Sequence, residues 1–368
     1  MKKIMLVFGT RPEAVKMCPL AIELKTRGNC ETVVCVTGQH REMLDSVLGV
    51  FGVKPDIDLN IMTGRQTLFD ITVNVLNGMR DVLTREKPDI LLVHGDTTTS
   101  LSAAMAAYYL NIPVGHVEAG LRTYDINAPY PEEFNRQAID SVARYMFAPT
   151  ESTRDNLVRE GKKREGIFVT GNTEIDALQY TVKPEYAHQL LEWAEGSRLI
   201  VMTAHRRESL GEPMRRIFRA VRRAVDKHPD VKLVYPVHLN PAVRETAEEV
   251  LGGHPQIKLT EPMDVYNFHN FLARSHLVLT DSGGIQESAP ALNKPVVVLR
   301  DVTERPEGVE AGTLMIGGTE EESVYNAVTK LLDDEALYRQ MSLAPNPYGD
   351  GYASRLIADA ILSADLSA

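Results

Sequence analysis

The chain has 368 residues, 43% hydrophobic and 24% charged, and its 50 Asp and Glu against 40 Lys and Arg give a formal net charge of −10. That length fits two domains with separate cores, and the composition is that of an ordinary globular protein. The acidic balance argues against a broad basic face for nucleic acid, and no apolar run is long enough to span a bilayer, so neither nucleic acid nor membrane is an expected partner.

Taken in chain order, the opening MKKIMLVF imitates a signal peptide, but its apolar run stops at Phe8 and turns into GTRPEA, so a first β-strand is expected. Strands are then expected at 3–8, 32–37, 89–94, 114–118, 145–148 and 167–170, and again at 199–203, 232–236, 257–260, 277–280, 296–299 and 313–316. Helical periodicity fills 12–27, 67–86, 98–110, 213–228 and 320–332. The strand runs are apolar throughout, as expected for parallel strands covered on both faces. The expected fold is α/β, two Rossmann-like doubly wound parallel sheets with ligands at the carboxyl ends of the strands. The strand rhythm lapses between Gly171 and Gly196. This predicts an N-terminal domain at 1–172 and a second at 173–352, with a helix in 353–368 folding back onto the first. The segment Leu110-Asn111-Ile112-Pro113-Val114 is echoed by Leu292-Asn293-Lys294-Pro295-Val296, each between a helix and a strand; either the two mark equivalent places in the two sheets or they coincide by chance. Cys18, Cys30 and Cys35 form no CxxC, which suits reduced thiols and a cytoplasmic location.

Several strand ends carry groups with chemistry. In GTRPE, Gly9 permits a tight turn, Pro12 suits a first helical turn and Arg11 projects near helix amide groups, though an ordinary turn with a solvated arginine reads the same way. Asp96 in HGDTT, Glu118 in HVEAG and Glu132 beside Glu133 in PYPEEFNR put carboxylates where a parallel sheet faces its ligand. They could move protons if their environments separate their pKa values; helix capping is an equal alternative for Asp96 and Glu132. His94/Asp96 and His116/Glu118 alternate as metal ligands can, but no local motif fixes a third ligand, so no metal is expected. His205 in AHRRES could transfer a proton or bind phosphate, with Arg206 and Arg207 adding charge suited to a pyrophosphate. The arginines of 215–223 form the solvated face of an amphipathic helix. In DSGG, Ser282 supplies a hydroxyl, and Gly283 and Gly284 let a phosphate approach a helix N-terminus, with Arg305 as counter-charge.

The ordered series GTRPEA (9–14), GQHREML (38–44), HGDTTT (94–99), GHVEAGLRT (115–123), PEEFNR (131–136), GNTEIDAL (171–178), AHRRES (204–209), YPVHLNP (235–241), TDSGGIQE (280–287), TERPEGV (303–309) and NPYGDG (346–351) resembles the non-hydrolysing UDP-N-acetylglucosamine 2-epimerases across essentially the whole chain. The resemblance implies a GT-B glycosyltransferase-like pair of Rossmann domains with an active-site cleft between them. It implies a cytosolic homodimer, without metal or other cofactor, that interconverts UDP-N-acetylglucosamine and UDP-N-acetylmannosamine for surface polysaccharide synthesis. The implied route eliminates UDP to give 2-acetamidoglucal and then adds it back. Asp96, Glu118, Glu132 and His205 match the family's catalytic set. Arg11, Lys16, Ser282, Gly283, Gly284 and Arg305 match contacts to the nucleotide sugar, Phe268 the aromatic beside uracil, and Met263 a backbone contact to that base. Gln39, Glu42, Arg65, Gln66, Glu132, Arg206 and His238 match a second site where UDP-N-acetylglucosamine acts as allosteric activator; position 42 is Gln in some regulated members. One departure concerns the ribose: the family's GGIQEE becomes GGIQES, so Ser288 replaces the Glu that binds its hydroxyls, and Glu287 is the alternative. A hydrolysing 2-epimerase releasing N-acetylmannosamine and UDP, a GT-B glycosyltransferase, and a catalytically silent nucleotide-sugar sensor are the alternative activities.

Overall fold

The computed structural model describes residues 1–38, 41–62 and 66–366. Its strands are β1 (Lys2–Phe8), β2 (Cys30–Val36), β3 (Ile57–Asp58), β4 (Ile90–His94), β5 (Val114–Val117), β6 (Tyr145–Ala148), β7 (Ile167–Val169), β8 (Arg198–Thr203), β9 (Val231–Pro236), β10 (Ile257–Thr260), β11 (Leu277–Thr280), β12 (Val296–Val298) and β13 (Leu314–Ile316). Twelve lie where the apolar runs predict them. The addition, β3, pairs only two residues with Cys35 and Val36, and a two-residue edge strand leaves no periodic trace in its sequence.

Among the described residues the strands form two parallel sheets, β3-β2-β1-β4-β5-β6-β7 and β10-β9-β8-β11-β12-β13. Both run 3-2-1-4-5-6 in local order, the first with a seventh strand added at the end, so each reverses direction beside its own first strand, the place where doubly wound sheets open a ligand crevice. The LNxPV echo falls at the same place in each, between the fourth and fifth strands. Asn111 and Asn293 both take left-handed backbone, with φ of 55° and 59°, a conformation asparagine tolerates better than most side chains. Met5, Val7, Leu91 and Val93 pack with Val75, Met79 and Ala103 on one face of the first sheet. Ile200, Leu233 and Leu279 pack with Ile217, Val221 and Val328 in the second.

The chain divides into two compact units, Met1–Tyr180 with Tyr348–Ala368, and Thr181–Pro347. The first division therefore comes later than the expected 172/173, and the return earlier than 353. The helix Thr173–Thr181 explains the shift, because Ile175, Ala177 and Leu178 are buried and Tyr180 meets Phe51 at 6.0 Å between ring centres. Asp176, 3% exposed, accepts the backbone N–H groups of Ala353 at 3.1 Å and Ser354 at 2.7 Å, which start the last helix, Ala353–Ser363. At its other end Lys2 Nζ donates to the carbonyls of Ile361, Leu362 and Ala364 at 2.5–3.0 Å, meeting the acceptors a helix C-terminus leaves unpaired. No helix among the described residues is long and apolar enough to cross a membrane. Replacing Asp176 by Ala strands two buried N–H groups and should cost about 1–3 kcal/mol. Denaturant unfolding would show the loss, and hydrogen exchange should rise first in the last helix.

Candidate active site

In the first unit the loops leaving β1, β4 and β5 lie at the carboxyl edge of three adjacent strands. Gly9 is required there by close approach, since a Cβ would collide with the Thr37 hydroxyl. Thr10 and Glu13 form a capping box that opens the helix Arg11–Arg27. Glu13, 2% exposed, also reaches into the loop after β4. It accepts from Gly9 N and Thr10 N at 2.9 and 2.8 Å, and from the hydroxyls of Thr97 and Ser100 at 2.6 and 2.9 Å. Arg11 itself is exposed.

That frame settles the capping alternative for the carboxylates. Thr97, not Asp96, caps the helix Thr98–Tyr109, and Glu132 is the first residue of the helix Glu132–Val142, whose cap position is Pro131. Asp96 is paired with Arg136 at 2.6 Å. Burial pushes its carboxyl up against the pull of Arg136, and the nearby charges of Glu118 and Glu132 push the same way. Glu118 is in the opposite state. Its backbone is left-handed, φ 68°, a strained conformation for this residue type that the surrounding contacts must hold. Its side chain, 11% exposed, forms an ion pair with Lys16, accepts from Asn172 Nδ2 at 2.9 Å and lies 3.6 Å from His94 Nε2. Burial raises the Glu118 carboxyl, but Lys16 and His94 outweigh it and hold the group well below the usual carboxylate range. Lys16 also lies 3.5 Å from Glu174. Glu132 turns one carboxylate oxygen into the interior with no hydrogen-bond partner among the described residues.

Behind these groups His116 spans the two turns. One ring nitrogen is 2.6 Å from Asp140 and the other 2.7 Å from the Gly95 carbonyl, so both are occupied and neither is free for a metal. Asp140 accepts from Arg122 at 2.7 Å and from Gly120 N at 3.3 Å; the side chains of Asp140, His116 and Arg122 are wholly buried. Burial raises the Asp140 carboxyl, yet His116 and Arg122 together keep it below the ordinary Asp value.

In the second unit His205 follows β8 and the DSGG turn follows its neighbour β11. His205 stacks on His238 with ring centres 5.3 Å apart; burial and the facing His205 push His238 below the ordinary His value. Ser282 occupies the cap position of the helix Gly283–Ala291 without using its side chain as a cap, which leaves the hydroxyl and the Gly283–Gly284 amides at a helix N-terminus. Arg206 pairs with Glu304 at 3.0 Å. Arg305 is ion-paired with Glu287, and Ser288 Oγ donates to the Gly284 carbonyl at 3.1 Å. Met263 and Phe268 are partly buried against the core beside β8 and β11.

The structure thus groups Lys16, Asp96, Glu118 and Glu132 in the first unit, and His205, Arg206, His238, Ser282, Gly283, Gly284, Glu287 and Arg305 around strand ends of the second. Gln66 hydrogen-bonds the Ile61 carbonyl. Gln39, Arg65 and the side chain of Glu42 lie outside the described residues. Sequence reading missed Glu13, Arg136 and Asp140. Only Glu13 had a local signal, the T-x-x-E box; the others act through contacts remote in sequence. Two outcomes follow. Asp140→Ala takes the carboxylate from buried His116 but leaves Arg122 its second partner, Glu160, at 2.7 and 2.8 Å, and should cost about 1–3 kcal/mol of unfolding free energy. Because the folded Glu118 carboxyl sits below its unfolded value, its stabilisation is present above the ordinary carboxylate range and is lost as pH falls through the folded pKa. The stability difference between wild type and Glu118→Gln should therefore shrink below a pH of about 4, as denaturant titrations at two pH values would show.

The family model described as UDP-N-acetylglucosamine 2-epimerase matches residues 22–362. The chain is 56% identical to a UDP-N-acetylglucosamine 2-epimerase of Bacillus subtilis over 360 residues, 98% of this chain and 95% of that protein. It superposes on the S. aureus MnaA structure with UDP at a TM-score of 0.90, with 53% identity and coverage of 98% and 96% of the two chains. The UDP-GlcNAc 2-epimerase of Neisseria meningitidis bound to UDP-GlcNAc gives a TM-score of 0.89 at 44% identity, covering 98% of this chain and all 100% of that one. With paired Rossmann-like sheets, acidic groups at the strand ends of one and an anion-ready glycine turn in the other, the chain belongs to the UDP-N-acetylglucosamine 2-epimerase family.

Proposed function

We propose that the chain catalyses the reversible, non-hydrolysing epimerisation of UDP-N-acetylglucosamine to UDP-N-acetylmannosamine. The observation that carries this reading is a pair of carboxyls in unlike surroundings at neighbouring strand ends, Asp96 against Arg136 and Glu118 against Lys16, Asn172 and His94. Carboxyls in such unlike surroundings can divide proton-transfer roles between them.

The hydrogen on carbon-2 of the sugar is not acidic, so simple removal and return is poor chemistry. Elimination avoids this. A base takes the carbon-2 proton while the bond from carbon-1 to the diphosphate oxygen breaks, leaving 2-acetamidoglucal and UDP. Return of the diphosphate oxygen to carbon-1, with a proton delivered to the other face of carbon-2, completes the inversion. Asp96, Glu118 and Glu132 are the groups that exchange these protons, and a group that accepts in one direction donates in the other. Leaving-group charge needs preorganised donors. Arg11, His205, Ser282, Arg305 and the Gly283–Gly284 amides fit that task, with Lys16 as a further cation, Glu132 beside the sugar, and Met263 and Phe268 at the base. Gln39, Glu42, Arg65, Gln66, Arg206 and His238, with Glu132, are assigned to a regulatory UDP-N-acetylglucosamine site. The working form is a cytosolic homodimer.

The test is turnover of UDP-N-acetylglucosamine in heavy water, followed by NMR. Deuterium should appear at carbon-2 of both UDP-sugars with no acceptor added. Epimerised product without deuterium sinks the proton-transfer route, and accumulation of free N-acetylmannosamine points to the hydrolysing reaction instead. Asp96→Asn and Glu118→Gln should each lower kcat by about 10²–10⁴-fold. Glu287 is committed to Arg305, so the ribose contact is weak at Ser288. Ser288→Glu should tighten UDP binding by roughly 1.5–3 kcal/mol; an unchanged or weaker Kd by calorimetry removes this account of the ribose.

A further inference from the structure

Thr280, the last residue of β11, lies beside Thr203, the last of β8, so Asp281 stands against the backbone that leaves β8. It is 1% exposed. Its Oδ2 accepts the N–H groups of His205 at 2.5 Å and Arg206 at 2.8 Å, which anchors the loop. Its Oδ1 is fully buried and takes no hydrogen bond from the other described residues. The polar atom placed to meet it is His205 Nδ1, 3.1 Å away.

A buried carboxylate oxygen left without a donor costs free energy comparable to a lost hydrogen bond, more when it is charged. The arrangement therefore favours the imidazole form that carries a proton on Nδ1. Burial pushes the Asp281 carboxyl up, but His205 and the two backbone N–H groups hold it below the ordinary Asp value. The His205 side chain is 38% exposed and stacked against His238 on one face, so its outer edge remains open to a ligand.

We propose that Asp281 is a positioning residue that locks His205 with its proton on Nδ1 and thereby makes Nε2 the working nitrogen. The inference rests on the reading of His205 as a group that serves the nucleotide sugar. A purely structural Asp281 needs only its two backbone contacts, and the tautomer of the ring would then be indifferent to it. Asp281→Asn separates the two cases. The amide keeps a carbonyl oxygen for the N–H groups of His205 and Arg206 but offers an NH₂ donor to Nδ1, so the ring proton should move to Nε2.

Long-range proton–nitrogen NMR of the full chain, ¹⁵N-labelled at histidine, reads the ring directly, with His205→Gln identifying the signals. At a pH of about 8.5, well above the ordinary His value, Nδ1 should be protonated in wild type and unprotonated in Asp281→Asn. An unprotonated Nδ1 in wild type overturns the proposal even if the variant fails to fold, and so does a variant with Nδ1 still protonated. The spectra need no substrate, so failure of the epimerase reading leaves this result standing by itself. In turnover assays Asp281→Asn should lower kcat by about 10²-fold with little change in KM. In a His205→Gln background the same change should cost less than about threefold; equal losses in both backgrounds also overturn the proposal.

Discussion

A backbone that leaves a parallel strand carries N–H groups with no ladder partner, and in this chain buried carboxylates meet them. Glu13 holds Gly9 and Thr10, Glu133 holds Thr123 and Tyr124, Asp140 holds Gly120, and Asp281 holds His205 and Arg206. Each takes up donors whose burial unpaired would cost free energy. Each also leaves a second contact that fixes something else: the loop after β4, the helix at Gln137, the ring of His116, or the ring of His205. The loops that bear the candidate chemistry are tied down by the acids behind them. This is a second layer of anchoring beneath the candidate proton-transfer acids.

The two proton-transfer candidates differ through what surrounds them rather than through their own identity. Lys16, Asn172 and His94 converge on Glu118, whereas Asp96 has Arg136 on one side and two acidic neighbours within electrostatic reach. Glu118 holds a left-handed backbone at φ 68°, which costs a residue of its type free energy, while Gly95, before Asp96, takes φ 61° without that cost. Conformations of that kind persist where neighbouring contacts over-determine them.

Strands were legible because a sheet covered on both faces demands unbroken apolar runs, and Met5, Leu91 or Leu279 could satisfy nothing else. The LNxPV echo was legible for a local reason too, a left-handed step between helix and strand. Position in the chain could place Asp96, Glu118, His205 and Ser282 at strand ends. It could not decide whether Asp96 capped a helix, because Thr97 was an equally good candidate and only the geometry shows which oxygen reaches Ser100. Nor could it find the partnership of His116 with Asp140, which depends on how a helix lies against β5. The short β3 was hidden because two edge residues leave no periodic trace, and the eight residues by which the first unit outruns its expected border were decided by tertiary contacts at Tyr180 and Asp176.

The first unit is assembled from two pieces of chain with all of Thr181–Pro347 threaded between them. On a ribosome, therefore, β1 emerges early but its Lys2 finds the carbonyls it caps only after the final helix has been made. The second unit has every residue it needs in one stretch and can finish first, so the unit bearing the candidate carboxylates is the last to have its whole chain.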